Sequence, residues 1–196
     1  MAGRSETYER IVDTAIRLFK RYGMKMTVAD IARELRMSPA NIYKFFASKK
    51  AVIEAIGERR LAEVRPRLLA VTKSRKTAWE RIADLIRAHV QQAEEAEEAF
   101  QMLQSRSEAL RFKLALGENR PQFQLDYLDF LRSEFAKLIR TGVEAGEMHV
   151  SDPEEAAAAL LDCLYRLEPD SLLEDPPAAR KARLERQLRL LARALA

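Results

Sequence analysis

The chain has 196 residues, 47% hydrophobic and 33% charged, with a formal net charge of +4. That length allows one generous domain or a small domain joined to a larger one. A single cysteine, Cys163, excludes an internal disulfide and a Cys-based zinc site, and no apolar run nears the ~18 residues of a membrane span, so a cytoplasmic protein with no membrane partner is expected.

Ala, Leu, Glu and Arg dominate, glycines number only six and no alternating β-branched run occurs, so the fold class is all-α. The opening MAGRSETYER lacks the pattern of a signal peptide. Charge is spread unevenly. Residues 1–60 hold 13 Lys/Arg and 7 Asp/Glu, a net of +6, whereas residues 61–196 are net −2. A basic N-terminal third is the electrostatic footprint of a nucleic-acid binder.

Thr7 to Tyr22 carries Ile11, Ala15, Leu18 and Tyr22 at the helical period, widened by Val12 and Phe19. Gly23 follows as a C-cap, and Met24 and Met26 serve as gap-fillers. The stretch Thr27 to Phe46 then reads as two short helices and a tight turn. Thr27 is an N-cap with Asp30 three residues on, like a weak capping box, and Val28, Ile31, Ala32 and Leu35 make one buried stripe. Ser38 and Pro39 restart the chain as N-cap and first helical residue of a helix over 39–46.

In that second helix Ile42, Phe45 and Phe46 point inward, which leaves Ala40, Asn41, Tyr43 and Lys44 outward. A small residue permits close approach. Asn pairs with adenine, Lys reaches guanine or phosphate, and a Tyr hydroxyl suits phosphate. Such a face is what a recognition helix offers a major groove. An ordinary helical hairpin is the bland alternative. Ser48 caps a further helix with Lys49 and Lys50 in its first turn, where cations oppose the helix dipole unless a phosphate lies nearby.

A first helix ending at Gly23, then TVADIA, MSPANIYKFF and SKK, resembles the DNA-binding domain of the TetR (tetracycline repressor-like) family of bacterial regulators over about residues 8–56. Thr27, Ile31, Ala32, Ser38, Tyr43, Phe46 and Lys49 sit at family positions. The resemblance implies phosphate contacts from Thr27, Tyr43 and Lys49, and base-facing positions at Pro39, Ala40, Asn41 and Lys44. Ser38 joins this contact set. Arg36 stands where the family usually has glycine, so the turn either takes positive φ at an arginine or adopts another geometry. Its side chain could supply a phosphate contact.

Val52 to Val71 reads as a long helix toward a second domain, with Pro66 expected to kink or end it near Arg65, and TKSRK as a basic linker. In a family-like fold it joins the DNA domain to a ligand domain. The expected division is 1–50 for the helix-turn-helix domain, linked by helix 48–71, and 51–196 for a helical ligand-binding and dimerisation domain. Thr77 to Glu95 is a further helix, QQAEEAEEA an acidic solvated stretch, and Phe100 to Leu116 another helix that breaks at Gly117. Pro121 opens a helix that runs to about Ala145 and ends at Gly146. The stretch GVEAGEMHVSDPEEAA also resembles the family, in which G-x-x-x-G-E precedes an Asp-Pro helix start. Candidates for a ligand pocket are Trp79, His89, Met102, Phe112, Phe123, Tyr127 and Phe130, although an aromatic at helical spacing, taken singly, is usually plain core.

The last two helices are expected over Pro153 to about Glu168 and Ala178 to Leu195, with RLEPDSLLEDPP between them. The first is small-sided. The second spaces Leu184, Leu188, Leu191 and Leu195 as a heptad-like seam. With Ala157, Leu160 and Leu164 these are the expected homodimer interface, a four-helix arrangement that the family resemblance implies. Packing on their own domain is the alternative. A two-fold partner is what lets paired recognition helices read a palindrome.

No catalytic constellation occurs. His89 and His149 lack metal-ligand spacing, Cys163 lies in an Ala/Leu helix that reads as buried, and neither a P-loop nor GxGxxG is present. No enzyme activity, cofactor or metal is expected. The expected function is a homodimeric transcriptional repressor of double-stranded DNA, released by an unknown small-molecule effector. A ligand-independent architectural DNA binder and a helix-turn-helix protein acting through protein partners stay open as alternatives.

Overall fold

A computed structural model describes residues 2–101, 121–166 and 177–195. All regular structure among them is helical: α1 (Ala2–Tyr22), a 3-10 turn (Gly23–Lys25), α2 (Val28–Glu34), α3 (Pro39–Tyr43), α4 (Lys49–Thr72), α5 (Ala78–Gln101), α6 (Gln122–Glu144), α7 (Pro153–Arg166) and α8 (Pro177–Leu195). The chain divides into two compact units, Met1–Val64 with Ala93–Leu125, and Arg65–Gln92 with Asp126–Ala196. Helices α4, α5 and α6 each pass from one unit to the other.

The first unit is built on the stripes that the helical period marks out. Ile11, Val12, Ala15 and Leu18 of α1 meet Met26, Val28, Ile31 and Ala32, with Ile42, Phe46, Val52 and Ala55 completing one buried cluster. Tyr8 stacks on Phe46 with ring centroids 4.9 Å apart. Burial pushes the Tyr8 hydroxyl above its ordinary pKa. Helix α2 starts on a full capping box: Thr27 Oγ1 accepts from the Asp30 N–H at 3.1 Å, and the Thr27 N–H donates to Asp30 Oδ2 at 2.9 Å.

Helix α4 starts at Lys49, capped by Ser48, whose Oγ accepts from the Ala51 N–H at 3.2 Å. It does not end at Pro66 but runs on to Thr72. Pro66 deprives the Ala62 carbonyl of its helical donor, and both residues are exposed, so water can replace the lost bond. In this unit the Glu54 carboxylate accepts from the N–H groups of Gln122 and Phe123 at 3.0 and 3.3 Å, which caps the start of α6. The Phe123 ring lies so close over Gly57 that a Cβ there would meet it at 2.3 Å.

In the second unit Thr77 and Glu80 form another capping box at the start of α5, with 2.9 and 3.2 Å bonds. This helix continues through the acidic stretch to Gln101, past the expected end at Glu95. Leu68, Ile82, Leu85, Ile86, Leu131, Phe135 and Ile139 form fully buried core. Gly146 takes φ +70° after α6, and the Glu147 N–H donates to the Gly142 carbonyl at 2.8 Å. Glu147 Oε2 accepts from the Ala78 N–H at 2.6 Å, so the Gly-Glu motif ties α6 to the start of α5. Asp152 caps α7 by accepting from the N–H groups of Glu154 and Glu155 at 2.9 and 3.1 Å. Arg87 grips Glu185 through two bonds of 2.8 and 3.0 Å, joining α5 to α8.

One expectation, for Cys163, shifts here, and the expected interface residues pack at least partly inward. Ala157, Leu160, Leu164, Leu188 and Leu195 are buried within the single chain, and Leu184 and Leu191 are half-buried. Their apolar stripe is already covered by their own unit. Glu155, Ala159 and Asp162 on α7, and Arg186, Leu190 and Arg193 on α8, are exposed. Cys163, expected to be buried, is exposed, because the buried line of α7 passes through Leu160 and Leu164 instead.

Candidate nucleic-acid interface and effector cluster

The turn between α2 and α3 closes with Arg36 at φ 53°, in the left-handed region. The Met37 N–H donates to the Ala32 carbonyl at 2.8 Å and the Arg36 N–H to the Arg33 carbonyl at 3.2 Å, the paired bonds of a Schellman end. The arginine thus holds the backbone geometry usually given to glycine and points an exposed cation outward. Helix α3 is shorter than expected, ending at Tyr43, with Phe45 and Phe46 in the turn that follows and both bonded to the Ile42 carbonyl. Ser38 caps it by accepting from the Asn41 N–H at 3.3 Å.

Ile42 is fully buried, which fixes the rotation of α3 and leaves Pro39, Ala40, Tyr43 and Lys44 exposed and Asn41 half-buried. Lys44 Nζ donates to Asn41 Oδ1 at 2.9 Å, so these two side chains hold each other. Thr27 is exposed, but its hydroxyl already donates to Asp30 Oδ2 at 2.7 Å. Those Thr27 bonds hold the Asp30 carboxyl below its ordinary pKa. For Thr27 to bond a phosphate, its hydroxyl must leave Asp30. Half-buried Lys49 donates to the Met24 carbonyl, a bond that pins the 3-10 turn to the start of α4. An ammonium has three donors, so this bond leaves two to offer elsewhere.

Of the pocket candidates, His89, Tyr127 and Phe130 come together in the second unit. His89 Nδ1 lies 2.7 Å from the Tyr127 hydroxyl, and the Tyr127 and Phe130 rings stack with centroids 6.3 Å apart. Burial pushes the His89 imidazole down to about 4, so it is neutral at physiological pH. Arg65 joins this row: its guanidinium carbon sits 5.4 Å from the Phe130 centroid, and Nη2 donates to the Asp126 carbonyl at 3.1 Å. Phe123 belongs to the first unit, where it packs on Gly57. Trp79 is half-buried on α5. Met102, Phe112 and the expected helix from Phe100 to Leu116 lie outside the described residues, apart from the Phe100–Gln101 end of α5.

Residues 11–56 match the family model of bacterial regulatory proteins of the tetR family, and residues 77–186 match the tetracyclin repressor-like C-terminal domain. An HTH-type transcriptional regulator BetI from Rhizobium meliloti is 30% identical over 162 residues, covering 79% of this chain and 74% of its own. The chain belongs to the TetR family. It is therefore a transcriptional regulator with a helix-turn-helix DNA-binding domain and a ligand-binding C-terminal domain, in a family of regulators rather than enzymes.

Among solved structures, a TetR-family transcriptional regulator from Pectobacterium atrosepticum matches with TM-score 0.75 and 24% identity, over 100% of this chain and 96% of that one. A transcriptional regulator from Saccharomonospora viridis, crystallised with choline, matches with TM-score 0.66 and 24% identity, over 94% of both chains. Both share the TetR fold. Among the described residues no helix is long and apolar enough to cross a membrane. Within this TetR chain, sequence reasoning passed over two residues. Arg65 entered only as the neighbour of Pro66, and Glu54 not at all, since its partners lie 68 and 69 residues away.

Proposed function

We propose that this regulator is a homodimeric repressor in the cytoplasm that reads a palindromic operator and lets go when a small molecule enters its second unit. The observation that carries the reading is the exposed face of α3, set by the buried Ile42 and capped by Ser38. Asn41 and Lys44 read base edges, with Pro39 and Ala40 allowing close approach. Arg36, Ser38, Tyr43 and Lys49 hold phosphates, and Thr27 joins them once its hydroxyl turns from Asp30. The Lys44–Asn41 bond keeps both side chains ordered until they trade each other for bases.

The second copy packs on the outer faces of α7 and α8 rather than on the buried leucine seam. One face carries Glu155 and Asp162 and the other Arg186 and Arg193, so a two-fold axis can set acidic against basic in both directions. Pairing places two α3 helices at half-sites about 34–36 Å apart or a multiple of that.

Selection of binding sites from random duplex DNA by purified protein, at about 150 mM salt, tests this reading. A palindrome is the expected product. Asn41→Ala should relax preference at one base pair by about 1–3 kcal/mol, whereas Lys49→Ala should weaken all sequences alike. DNA affinity without a motif would favour an architectural binder instead.

A further inference from the structure

The row Arg65–Phe130–Tyr127–His89 lies wholly in the second unit and has a chemistry of its own. Arg65 is a permanent cation, and among the described residues no carboxylate is paired with it. Its contacts are the Asp126 carbonyl, taken by Nη2, and the face of Phe130. Its Nε is closed off from solvent and has no hydrogen-bond partner. A guanidinium N–H left in that state has lost water and gained nothing. Beside it stand two stacked rings and a histidine–tyrosine pair that satisfy each other at 2.7 Å without a net charge.

We propose that the effector is an anion, a carboxylate on an apolar body, with the carboxylate on Arg65 Nε and the body against Phe130 and Tyr127. A carboxylate matches the guanidinium fork and supplies the acceptor that Nε lacks. A cationic effector would be repelled, because Arg65 already occupies the cation's place over the Phe130 ring. Because Nε is closed off from solvent, entry of the anion has to move side chains, and recognition and rearrangement are one event. The inference rests on the ligand-responsive reading above and names the chemical class of that ligand.

Its test is calorimetric titration of the full chain with octanoate, butyrate, benzoate and phenylacetate, and with choline as the opposite charge. At least one carboxylate should bind, choline should not, and Arg65→Gln should weaken the carboxylate about 10–100-fold. Arg65→Lys keeps the charge without the fork and should fall between. Thermal melts and operator binding of each variant, measured alongside, separate a lost ligand site from a lost fold. Binding of choline in place of the carboxylates, binding of none of the carboxylates, or an affinity unchanged in Arg65→Gln would each overturn the proposal. Carboxylate binding that leaves the operator affinity untouched would instead overturn ligand release, with the ligand class intact.

Discussion

Helices α2 and α6 end with the same hydrogen bonds and different residues. At α2 the N–H of Met37 reaches the Ala32 carbonyl at 2.8 Å and that of Arg36 reaches Arg33 at 3.2 Å. At α6 Glu147 reaches Gly142 at 2.8 Å and Gly146 reaches Val143 at 3.1 Å. The left-handed residue is arginine at φ 53° in one and glycine at φ 70° in the other. Both turns have a small residue where another segment comes close: Ala32 is 1% exposed, and Gly142 faces Met148 and Ala78. The shape of the turn is thus demanded by packing, while the identity of its left-handed residue is free to answer another demand. For an L side chain that conformation costs roughly 1–2 kcal/mol. In the turn before α3 the residue that carries this cost is an exposed cation.

The largest break in this comparison is Gly142→Ala. Its Cβ would meet the Met148 sulfur at 2.7 Å and Ala78 Cβ at 2.9 Å, so urea melts should show a loss of about 1–3 kcal/mol. Next come the two exchanges. Gly146→Arg has open space for its side chain and loses only the backbone term, about 1–2 kcal/mol. Arg36→Gly should gain about 1 kcal/mol of stability yet lower the salt slope of operator binding by about 1. If Arg36→Gly instead destabilised the fold, the arginine would be supporting its turn rather than serving DNA.

The gentlest contrast between the units is with acid. An unfolded histidine takes up its proton near 6.5, but folded His89 resists down to about 4, so the unfolded chain binds that proton first. Stability present above 6.5 is therefore lost as pH falls from there toward 4. Asp30, held low by Thr27, begins to cost stability only as pH falls below about 3.8. Hydrogen exchange during acid titration should show the second unit loosening first, and His89→Gln should remove that early phase. Simultaneous loosening of both units would mean that they unfold as one.

What could be read from the sequence was what neighbouring residues decide among themselves. Thr27 with Asp30, Ser38 with Pro39, Gly146, and Asp152 with Pro153 act over a few positions, and each marks a helix end in the structure. The all-α fold and the buried faces of α1 to α3 followed from periodicity. Periodicity also found the stripe of Leu184, Leu188, Leu191 and Leu195, but a stripe states that a face is apolar, not what covers it. Here the chain itself covers much of it. Pro66, expected to kink or end its helix, does not end it, because water can reach the carbonyl that it orphans. The Arg65–Phe130 and His89–Tyr127 contacts join residues far apart in the chain, and no local pattern announces them.

The exposed thiol of Cys163 makes the chain its own reporter. It is the one cysteine among 196 residues, so a maleimide or nitroxide attaches at a single, defined point with no engineering. Two copies related by a two-fold would carry two probes and yield one distance. Because Cys163 lies on the outer face of α7, next to Asp162, pairing through that face would slow its labelling as protein concentration rises. A single exposed thiol would in this way count protomers.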